Sequence, residues 1–221
     1  MGRFFRVIAV SLVVLLPQAC QAPIGNDKGK ADAPSEAVVE TSDLFVVQTD
    51  GSCTFSTNDP AYWGPYGYTL WAMPCPAQPT FTQRDVLLTK QSGNLTAGYG
   101  IVFCQYSTAN QANDETMLIV MINAKQQYSV GEATGSVYTP YTTPMWVEDK
   151  ILSGGIGMNN EVKVTRESDG NFSLFLNGKQ AMSFSDGRRP LQTGGGEGYL
   201  VVISPQDSFP ANPVTVTFKD N

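Results

Sequence analysis

Residues 161–185 read EVKVTRESDGNFSLFLNGKQAMSFS and carry apolar side chains at every second position of two segments. These side chains are Val162, Val164, Phe172, Leu174 and Leu176. Alternation with a period of two is typical of a strand that has one buried and one solvated face. Residues 168–171 (SDGN) and 177–178 (NG) tolerate the positive φ angles of tight turns. The stretch therefore predicts three consecutive antiparallel strands.

The same pattern continues on both sides of this stretch, from residue 81 to the end of the chain. Residues 214–219 read VTVTFK and alternate strictly. We expect strands, each short and bounded by Gly, Pro, Asn or Asp, at residues 81–90, 98–107, 117–123, 127–132, 161–166, 172–177, 179–185, 198–203 and 214–219. Many short strands at this spacing predict an all-β chain, folded as an antiparallel two-sheet sandwich.

The composition excludes several classes of function. The 221 residues carry a formal net charge of -6, which becomes -8 once a leader with two arginines is removed, and this disfavours nucleic acid as a partner. The chain has no histidine, which excludes a Ser-His-Asp triad, a histidine base and histidine-ligated metals. No motif indicates a cofactor or a metal site, and the glycine runs at 154–157 and 194–196 lack the Lys-Ser/Thr pair of a phosphate loop.

The first twenty residues have the form of an export signal. Arg3 and Arg6 supply positive charge, residues 7–16 are apolar apart from one serine, and Pro17-Gln18-Ala19 precede Cys20. Ten residues in a helix reach about half of a roughly 30 Å bilayer core, so a signal is favoured over a membrane-spanning helix. We expect residues 1–20 to be a lipoprotein signal peptide with Cys20 as the lipidated residue.

The segment ending at Cys20 resembles a bacterial lipobox, although Pro17 stands where an aliphatic residue is usual. Cleavage by an ordinary signal peptidase would instead leave a free secreted protein. Residues 21–43 contain few large apolar groups and predict a flexible tether. Residues 44–221 are expected to form a single β-sandwich domain. Gln21 after Cys20 resembles the sorting pattern of outer-membrane lipoproteins, so the expected location is the cell envelope, facing the periplasm or the cell surface.

Three cysteines remain after Cys20, an odd number for an oxidising compartment. Cys53 and Cys75 lie in turn-rich surroundings, where two loops can approach to the separation that a disulfide requires. We expect these two to be bridged. Cys104 lies within an apolar run and is interpreted as a buried thiol, the alternative being a bond from Cys104 to Cys53 or Cys75.

Residues 44–79 are rich in proline and aromatic residues, which predicts short strands and a long connection rather than a helix. Further along, GYGIVF at 98–103, NEVKVTR at 160–166, FSLFLNGK at 172–179, GYLVV at 198–202 and VTVTFKD at 214–220 follow one another at characteristic spacing. Their order resembles that of concanavalin A-like jelly rolls, in particular the laminin-G-like bacterial branch that includes 3-keto-disaccharide hydrolase-type domains and surface lipoproteins. The resemblance covers residues 81 to 221 and implies a jelly-roll fold.

Activity within this superfamily depends on the site. Enzymes that resemble laminarinases carry Glu-x-Asp-x-Glu on a strand of the concave face, where alternation aims the carboxylates at one cleft. The chain has no such string. The nearest acidic groups are Asp114-Glu115, Glu148-Asp149 and Glu167-x-Asp169, each where a loop or turn is expected. No catalytic residue is therefore assigned, and the sequence favours a binding protein over an enzyme.

Aromatic residues supply the candidate binding site. Tyr138, Tyr141 and Trp146 fall in a loop-like stretch at 135–148, stiffened by prolines, and Tyr106 and Tyr128 lie on strands that border the same region. An aromatic platform beside Asn and Gln side chains suits a pyranose, which offers apolar C–H faces and a rim of hydroxyls. The same aromatics could instead cap the edge of the sandwich.

We therefore expect a lipid-anchored surface protein that acts as a binding or interaction module, with a polysaccharide or glycoconjugate as its partner. A carbohydrate-active hydrolase that uses carboxylates from separated strands is one alternative. A protein-binding adhesin or a structural envelope lipoprotein is another. The sequence does not define the oligomeric state.

Overall fold

The computed structural model describes residues 44–57, 69–78, 80–106, 116–134, 137–185, 195–203 and 212–221. For residues 69–78 and for Tyr106 the description covers the backbone. The predicted leader, Cys20 and the predicted tether at 21–43 lie outside the described residues, so the predictions made for them stay predictions. In the part of the chain that is described, no helix is long and apolar enough to cross a membrane.

The described residues form strands joined by turns and short connections. In chain order the strands are β1 (Phe45–Val47), β2 (Cys53–Thr57), β3 (Thr69–Gln78), β4 (Gln83–Ser92), β5 (Gly98–Tyr106), β6 (Thr116–Asn123), β7 (Gln127–Thr134), β8 (Val137–Pro140), β9 (Val147–Glu148), β10 (Asn159–Arg166), β11 (Asn171–Leu176), β12 (Lys179–Ser185), β13 (Gly195–Ile203) and β14 (Val214–Asp220).

These strands pair into two antiparallel sheets. Sheet I has the order β1-β2-β14-β4-β10-β11-β12, and sheet II has the order β3-β13-β5-β6-β7-β8, with β9 also pairing to β7. In sheet I, β10, β11 and β12 are consecutive neighbours, with Val164 opposite Leu174 and Phe172 opposite Phe184. The all-β sandwich and the three-stranded unit predicted for residues 161–185 are therefore confirmed.

A main core fills the space between the two sheets. Sheet I contributes the alternate residues Val162 and Val164 on β10, both fully buried, and Phe218 on β14. Sheet II contributes Leu118, Val120 and Ile122 of β6. It also contributes Tyr199 of β13, whose ring stacks on that of Phe218 with the centroids 4.7 Å apart. The inward residues of β6 and β10 lie at every second position, as the period of a strand requires.

One buried ion pair connects the two sheets through this core. Arg84 on β4 donates from Nη1 to Glu197 Oε2 on β13 at 2.7 Å, and from Nη2 to Asp220 at 3.0 Å. The guanidinium also lies 5.0 Å from the ring centroid of Tyr199. The side chains of Arg84 and Glu197 are only 8% and 7% exposed, so each charge depends on the other for compensation.

Strand β3 differs from the short strands expected within residues 44–79, because it runs for ten residues and includes Pro74 and Pro76. β3 lies at the edge of sheet II and pairs only with β13. Two prolines at positions i and i+2 lack their N–H groups on the same side of the strand, and an edge strand has one side that needs no partner. β1 and β2 are short, as expected.

The cysteines are distributed over both sheets. Cys53 on β2 and Cys104 on β5 are both buried in the main core. Cys104 has a φ of 52° at an irregularity of β5, which turns it and Phe103 toward the same side. Because β13 separates β3 from β5, the backbones at Cys75 and Cys104 lie about two strand spacings, roughly 9.5 Å, apart, which argues against a bond between them. The bridge between Cys53 and Cys75 stays a prediction.

Candidate functional site

The outer face of sheet II, which points away from the main core, is apolar and covered. Its buried residues form a second hydrophobic group that we call the outer cluster: Val102, Met117, Ile119, Met121, Ala133, Tyr138 and Leu200. The partly buried Met145, Trp146 and Val202 pack against it. The outer face of a two-sheet sandwich normally meets water and carries polar side chains, so this face is unusual for a purely structural layer.

Strand β6 shows why both faces of sheet II are apolar. All eight of its residues are buried, with Leu118, Val120 and Ile122 in the main core. The intervening Met117, Ile119 and Met121 belong to the outer cluster.

The outer cluster is closed by residues 137–148, here called the covering segment. β8 pairs with residues 131–134 of β7, and β9 pairs with residues 127–128 of the same strand. Between them, the backbone N–H groups of Tyr141 and Thr142 both donate to Val130 O. The stretch expected to be a loop at 135–148 thus contains two short strands, and Tyr138, Met145 and Trp146 of this segment join the outer cluster.

The Trp146 side chain packs on the outer face of sheet II, over Gly98. A Cβ atom built on Gly98 would stand 3.1 Å from Trp146 Cη2 and 3.4 Å from Met121 Sδ. Gly98 is on β5, two strands away from β7, so the indole reaches across β6. The missing side chain of Gly98 gives the ring its space. Trp146 remains partly exposed, so part of its ring is open to a ligand.

Tyr138 is placed in the same way over Gly131 of β7. A Cβ atom on Gly131 would stand 2.7 Å from two atoms at the end of the Tyr138 side chain and 2.5 Å from Thr139 O. The Tyr138 hydroxyl and Ser129 Oγ share a hydrogen bond of 2.8 Å. Burial raises the pKa of Tyr138 well above its ordinary value of 10.0, and the bond with Ser129 opposes that shift. Tyr138 therefore forms a fixed, neutral part of the face.

The structure does not bring the other predicted aromatics onto this face. Tyr128 is on an inward position of β7 and packs in the main core, where burial and then the charge of Asp149 raise its pKa. Tyr141 also packs against the main core, and its hydroxyl donates to Glu132 Oε2 at 3.0 Å. Tyr106 is the last residue of β5, and its side chain lies outside the description. Trp146 and Tyr138 are the predicted residues that meet.

Amide side chains lie at the end of the sheet where Trp146 is found. Asn123 and Gln127 are opposite one another on β6 and β7, and Asn123 Nδ2 donates to Gln127 Oε1 at 2.8 Å. The Asn123 Oδ1 atom accepts the backbone N–H groups of Lys125 and Gln127, which fixes its orientation. Since Tyr99 pairs with Ile122, the next step of that ladder sets Gly98 beside Asn123. An amide pair therefore borders the indole.

Of the acidic groups expected in loops or turns, Asp149, Glu167 and Asp169 lie in connections, whereas Glu148 lies on a short strand. Glu148 ends β9, Asp149 follows it, and Glu167 and Asp169 occupy the turn between β10 and β11. Asp114-Glu115 lies outside the described residues. Within the described ranges, no three His, Cys, Asp or Glu side chains come together in a way that could hold a metal ion.

Sequence reasoning missed the residues that seat the aromatics. Gly98 and Gly131 were interpreted as strand glycines, although a glycine inside a strand is itself a signal of close approach by another group. Asn123, which is 1% exposed, was counted as a strand terminus. The outward methionines of β6 gave a second signal, because an apolar residue at every position of a strand indicates that both faces are covered.

Comparisons with known proteins give no match to a family model and no significant match to a curated protein. Solved structures are similar in fold. A protein reported with the endo-acting O-glycanases that human gut microbiota express to initiate mucin breakdown has a TM-score of 0.55 at 10% identity, covering 82% of this chain and 83% of that one. A prokaryotic beta-1,3-1,4-glucanase (lichenase) from a mouse hindgut metagenome has a TM-score of 0.54 at 9% identity, covering 80% of each chain.

At these identities the likeness concerns the fold alone. Each of the two neighbours covers about four fifths of the chain. The fold predicted from the order of the strand motifs is confirmed: the chain is a concanavalin A-like jelly-roll sandwich.

Proposed function

We propose that this protein is a glycan-binding module whose ligand contacts the outer face of sheet II beside Trp146. The observation that carries the proposal is the partly exposed indole seated on Gly98 and against Met121. An aromatic ring held by its surroundings loses little entropy on binding and offers a flat apolar surface. The apolar C–H face of a pyranose can stack on such a ring. A glycan would therefore contact the exposed part of Trp146.

The neighbouring amides supply the polar part of such a site. A sugar ring carries hydroxyls around its rim, and each must find a hydrogen-bond partner when it leaves water. The Asn123–Gln127 pair, fixed by its own hydrogen bonds, lies at the same end of the sheet as Trp146. Asn123 is 1% exposed and holds Gln127 in place, so the partly exposed Gln127 is the member of the pair that can reach a ligand stacked on the indole.

The side chains of the outer face favour binding over hydrolysis. Glycoside hydrolysis uses two carboxyl groups on opposite sides of the scissile bond, about 5 to 9.5 Å apart. The outward positions Met117, Ile119 and Met121 of β6 carry no carboxyl group, so this strand offers no such pair. The likeness to glucanases concerns the fold, so it adds no support for catalysis.

We further propose that Cys20 carries the lipid that holds this module at the cell envelope. The proposal rests on the leader and on the lipobox-like residues 15–20. When the full-length gene is expressed in a bacterium, the protein should partition into the detergent phase of a Triton X-114 separation. The Cys20→Ala variant should remain in the aqueous phase or retain its leader. Equal partitioning of the wild type and the variant would contradict the lipid anchor.

A glycan-array screen of the full chain tests the binding function. We expect retention on a subset of polysaccharide spots, and a loss of at least ten-fold in apparent affinity for Trp146→Leu, which keeps an apolar side chain over Gly98. Ile156→Ala serves as the control, because Ile156 is an exposed apolar residue outside the outer cluster. Retention that is equal in Trp146→Leu and wild type would overturn this site, and release of reducing ends would favour the hydrolase.

A further inference from the structure

The outer face of sheet I bears an open groove at the end formed by β11 and β12. Its volume is about 400 Å³, within the range of small-molecule sites. Phe184 is the apolar residue of the lining. The polar residues of the lining are Glu167, Asp169, Asn171, Ser173, Ser183 and Ser185. The groove lies on the opposite sheet from Trp146, so it is independent of the function proposed above.

The pairing of β11 with β12 sets the polar groups of the groove in rows. Ser173 is directly opposite Ser183, and Asn171 is directly opposite Ser185. Opposite residues of an antiparallel pair project from the same face with their Cβ atoms about 4.5 to 5.5 Å apart. A pyranose ring with its hydroxyls is wide enough to span this spacing, so one ring can contact both rows.

The acidic rim of the groove is held in place by its turn. The N–H of Gly170 donates to Glu167 O, and the N–H of Glu167 donates to Asn171 O. Asp169 accepts the backbone N–H of Asn171 at Oδ1 and its side-chain Nδ2 at Oδ2. The turn therefore presents the two carboxylates of Glu167 and Asp169 at a fixed position beside the rows.

Ser173 is the residue that points to a ligand. It is 7% exposed, and its hydroxyl makes no hydrogen bond within the described structure, although it lines the groove. Ser173 Oγ is open to the solvent in the groove, because it is not among the fully buried side-chain N or O atoms that lack a hydrogen-bond partner in the described residues. The neighbouring Ser183 already accepts a hydrogen bond from Gln180 at 2.8 Å. The Ser173 hydroxyl is therefore available to a molecule that enters the groove.

We propose that this groove is a second binding site, which takes the adjacent hydroxyls of a neutral saccharide. Sugar hydroxyls can donate to the carboxylate of Glu167 and exchange hydrogen bonds with Ser173 and Asn171. An anionic ligand is disfavoured by the two carboxylates and by the net charge of -6. A metal ion is disfavoured because both oxygens of Asp169 already accept hydrogen bonds from Asn171.

The test is a titration of the ¹⁵N-labelled full chain in detergent micelles, followed by NMR, with methyl glycosides of glucose, galactose and mannose as probes. We expect at least one glycoside to shift the amide signals of Ser173 and Ser183 saturably. Ser173→Ala should weaken that binding about five-fold, the effect of one neutral hydrogen bond, and Glu167→Gln about ten-fold. Trp146→Leu should leave these shifts unchanged.

Ser56→Ala is the matched control, because Ser56 lies on β2, four strands away from β11 in the same sheet. The Ser56→Ala variant should bind the glycoside with the same affinity as the wild type. The proposal is overturned if none of the glycosides shifts these amides, if Ser173→Ala binds as tightly as the wild type, or if calcium chloride alone shifts them and no glycoside does. Loss of binding in Trp146→Leu alone would leave the function proposed above intact and overturn this second site.

Discussion

The outer faces of sheet I and sheet II are built from different side chains although both belong to one sandwich. Sheet I points the polar residues Lys163 and Thr165 of β10 and Ser173 of β11 outward, away from the main core. Sheet II turns Met117, Ile119 and Met121 outward and buries them under Tyr138 and Trp146.

Folding requires each sheet to bury only its inner face. The polar outer face of sheet I meets that minimum, whereas sheet II covers a second apolar surface at the expense of an additional segment, residues 137–148. Covering the outer face of sheet II is not required for the sandwich to be stable, and we attribute this covered surface to ligand binding. On this interpretation the main core is structural and the outer cluster is adapted to a ligand.

The largest effect is expected in the main core. Arg84→Met leaves the buried carboxylate of Glu197 without its cation, which should lower the free energy of unfolding by about 3 to 5 kcal/mol in chemical denaturation. Lys163→Met is the control: it removes a partly exposed partner of Asp85 at 3.4 Å and should cost less than about 1 kcal/mol. Similar losses in the two variants would contradict the structural role of the Arg84–Glu197 pair.

Neighbouring residues of β6 allow the two hydrophobic groups to be compared on one strand. Leu118 is 0% exposed in the main core, and Ile119 is 2% exposed in the outer cluster. Leu118→Ala should cost about 4 kcal/mol, because two sheets hold the cavity open. Ile119→Ala should cost about 2 kcal/mol, because the covering segment can settle into the space. Equal costs, measured by urea unfolding, would mean that the outer cluster is as rigid as the main core.

Trp146→Leu should separate binding from stability. Loss of the aromatic surface is expected to weaken glycan binding by at least ten-fold, about 1.4 kcal/mol, while the midpoint of thermal unfolding changes by a few degrees at most. Isothermal titration with the strongest glycan from the array measures the first quantity, and calorimetry measures the second. A large fall in the midpoint with unchanged affinity would assign Trp146 to the fold rather than to a site.

Alkaline pH should give the smallest effect. Burial raises the pKa of Tyr99 in the main core and of Tyr138 in the outer cluster above 10.0. Their protonated forms stabilise the fold fully below pH 10, and this contribution is lost as pH rises from 10 toward the folded values. Tyr99→Phe should therefore reduce the loss of stability between pH 9 and pH 11 by about 1 kcal/mol.

Tyr138→Phe should reduce that loss by a similar amount, because burial raises the pKa of Tyr138 far enough to keep it protonated in the folded protein over this range, although the hydrogen bond with Ser129 opposes the shift. Urea unfolding at both pH values measures the two variants. A much smaller effect for Tyr138→Phe would show that the outer cluster admits water that the main core excludes.

Period-two alternation made the sandwich predictable. Val164 stands opposite Leu174 and Val162 opposite Leu176 on β10 and β11, so one local pattern defined both strands and their shared face. The asparagine–glycine turn after Leu176 was equally informative, because Asn177 and Gly178 both adopt positive φ angles there.

The candidate site was only partly predictable. The loop position of Trp146 and Tyr138 was visible, but which face of a sheet each ring would reach depends on pairing between β7, β8 and β9. Tyr128 illustrates the problem: a shift of one position along β7 decides between the main core and the outer face. The prolines of β3 obscured a strand for a related reason, because an edge position is a property of the whole sheet.

The indole N–H signal of Trp146 in a ¹H–¹⁵N NMR spectrum offers a single decisive test. It can be assigned by its absence in Trp146→Leu and followed while the full chain is titrated with the strongest glycan from the array. The binding function proposed for the outer face of sheet II predicts a saturable shift of this signal at the concentration where the chain binds. An unchanged Trp146 signal in the fully bound protein would contradict it.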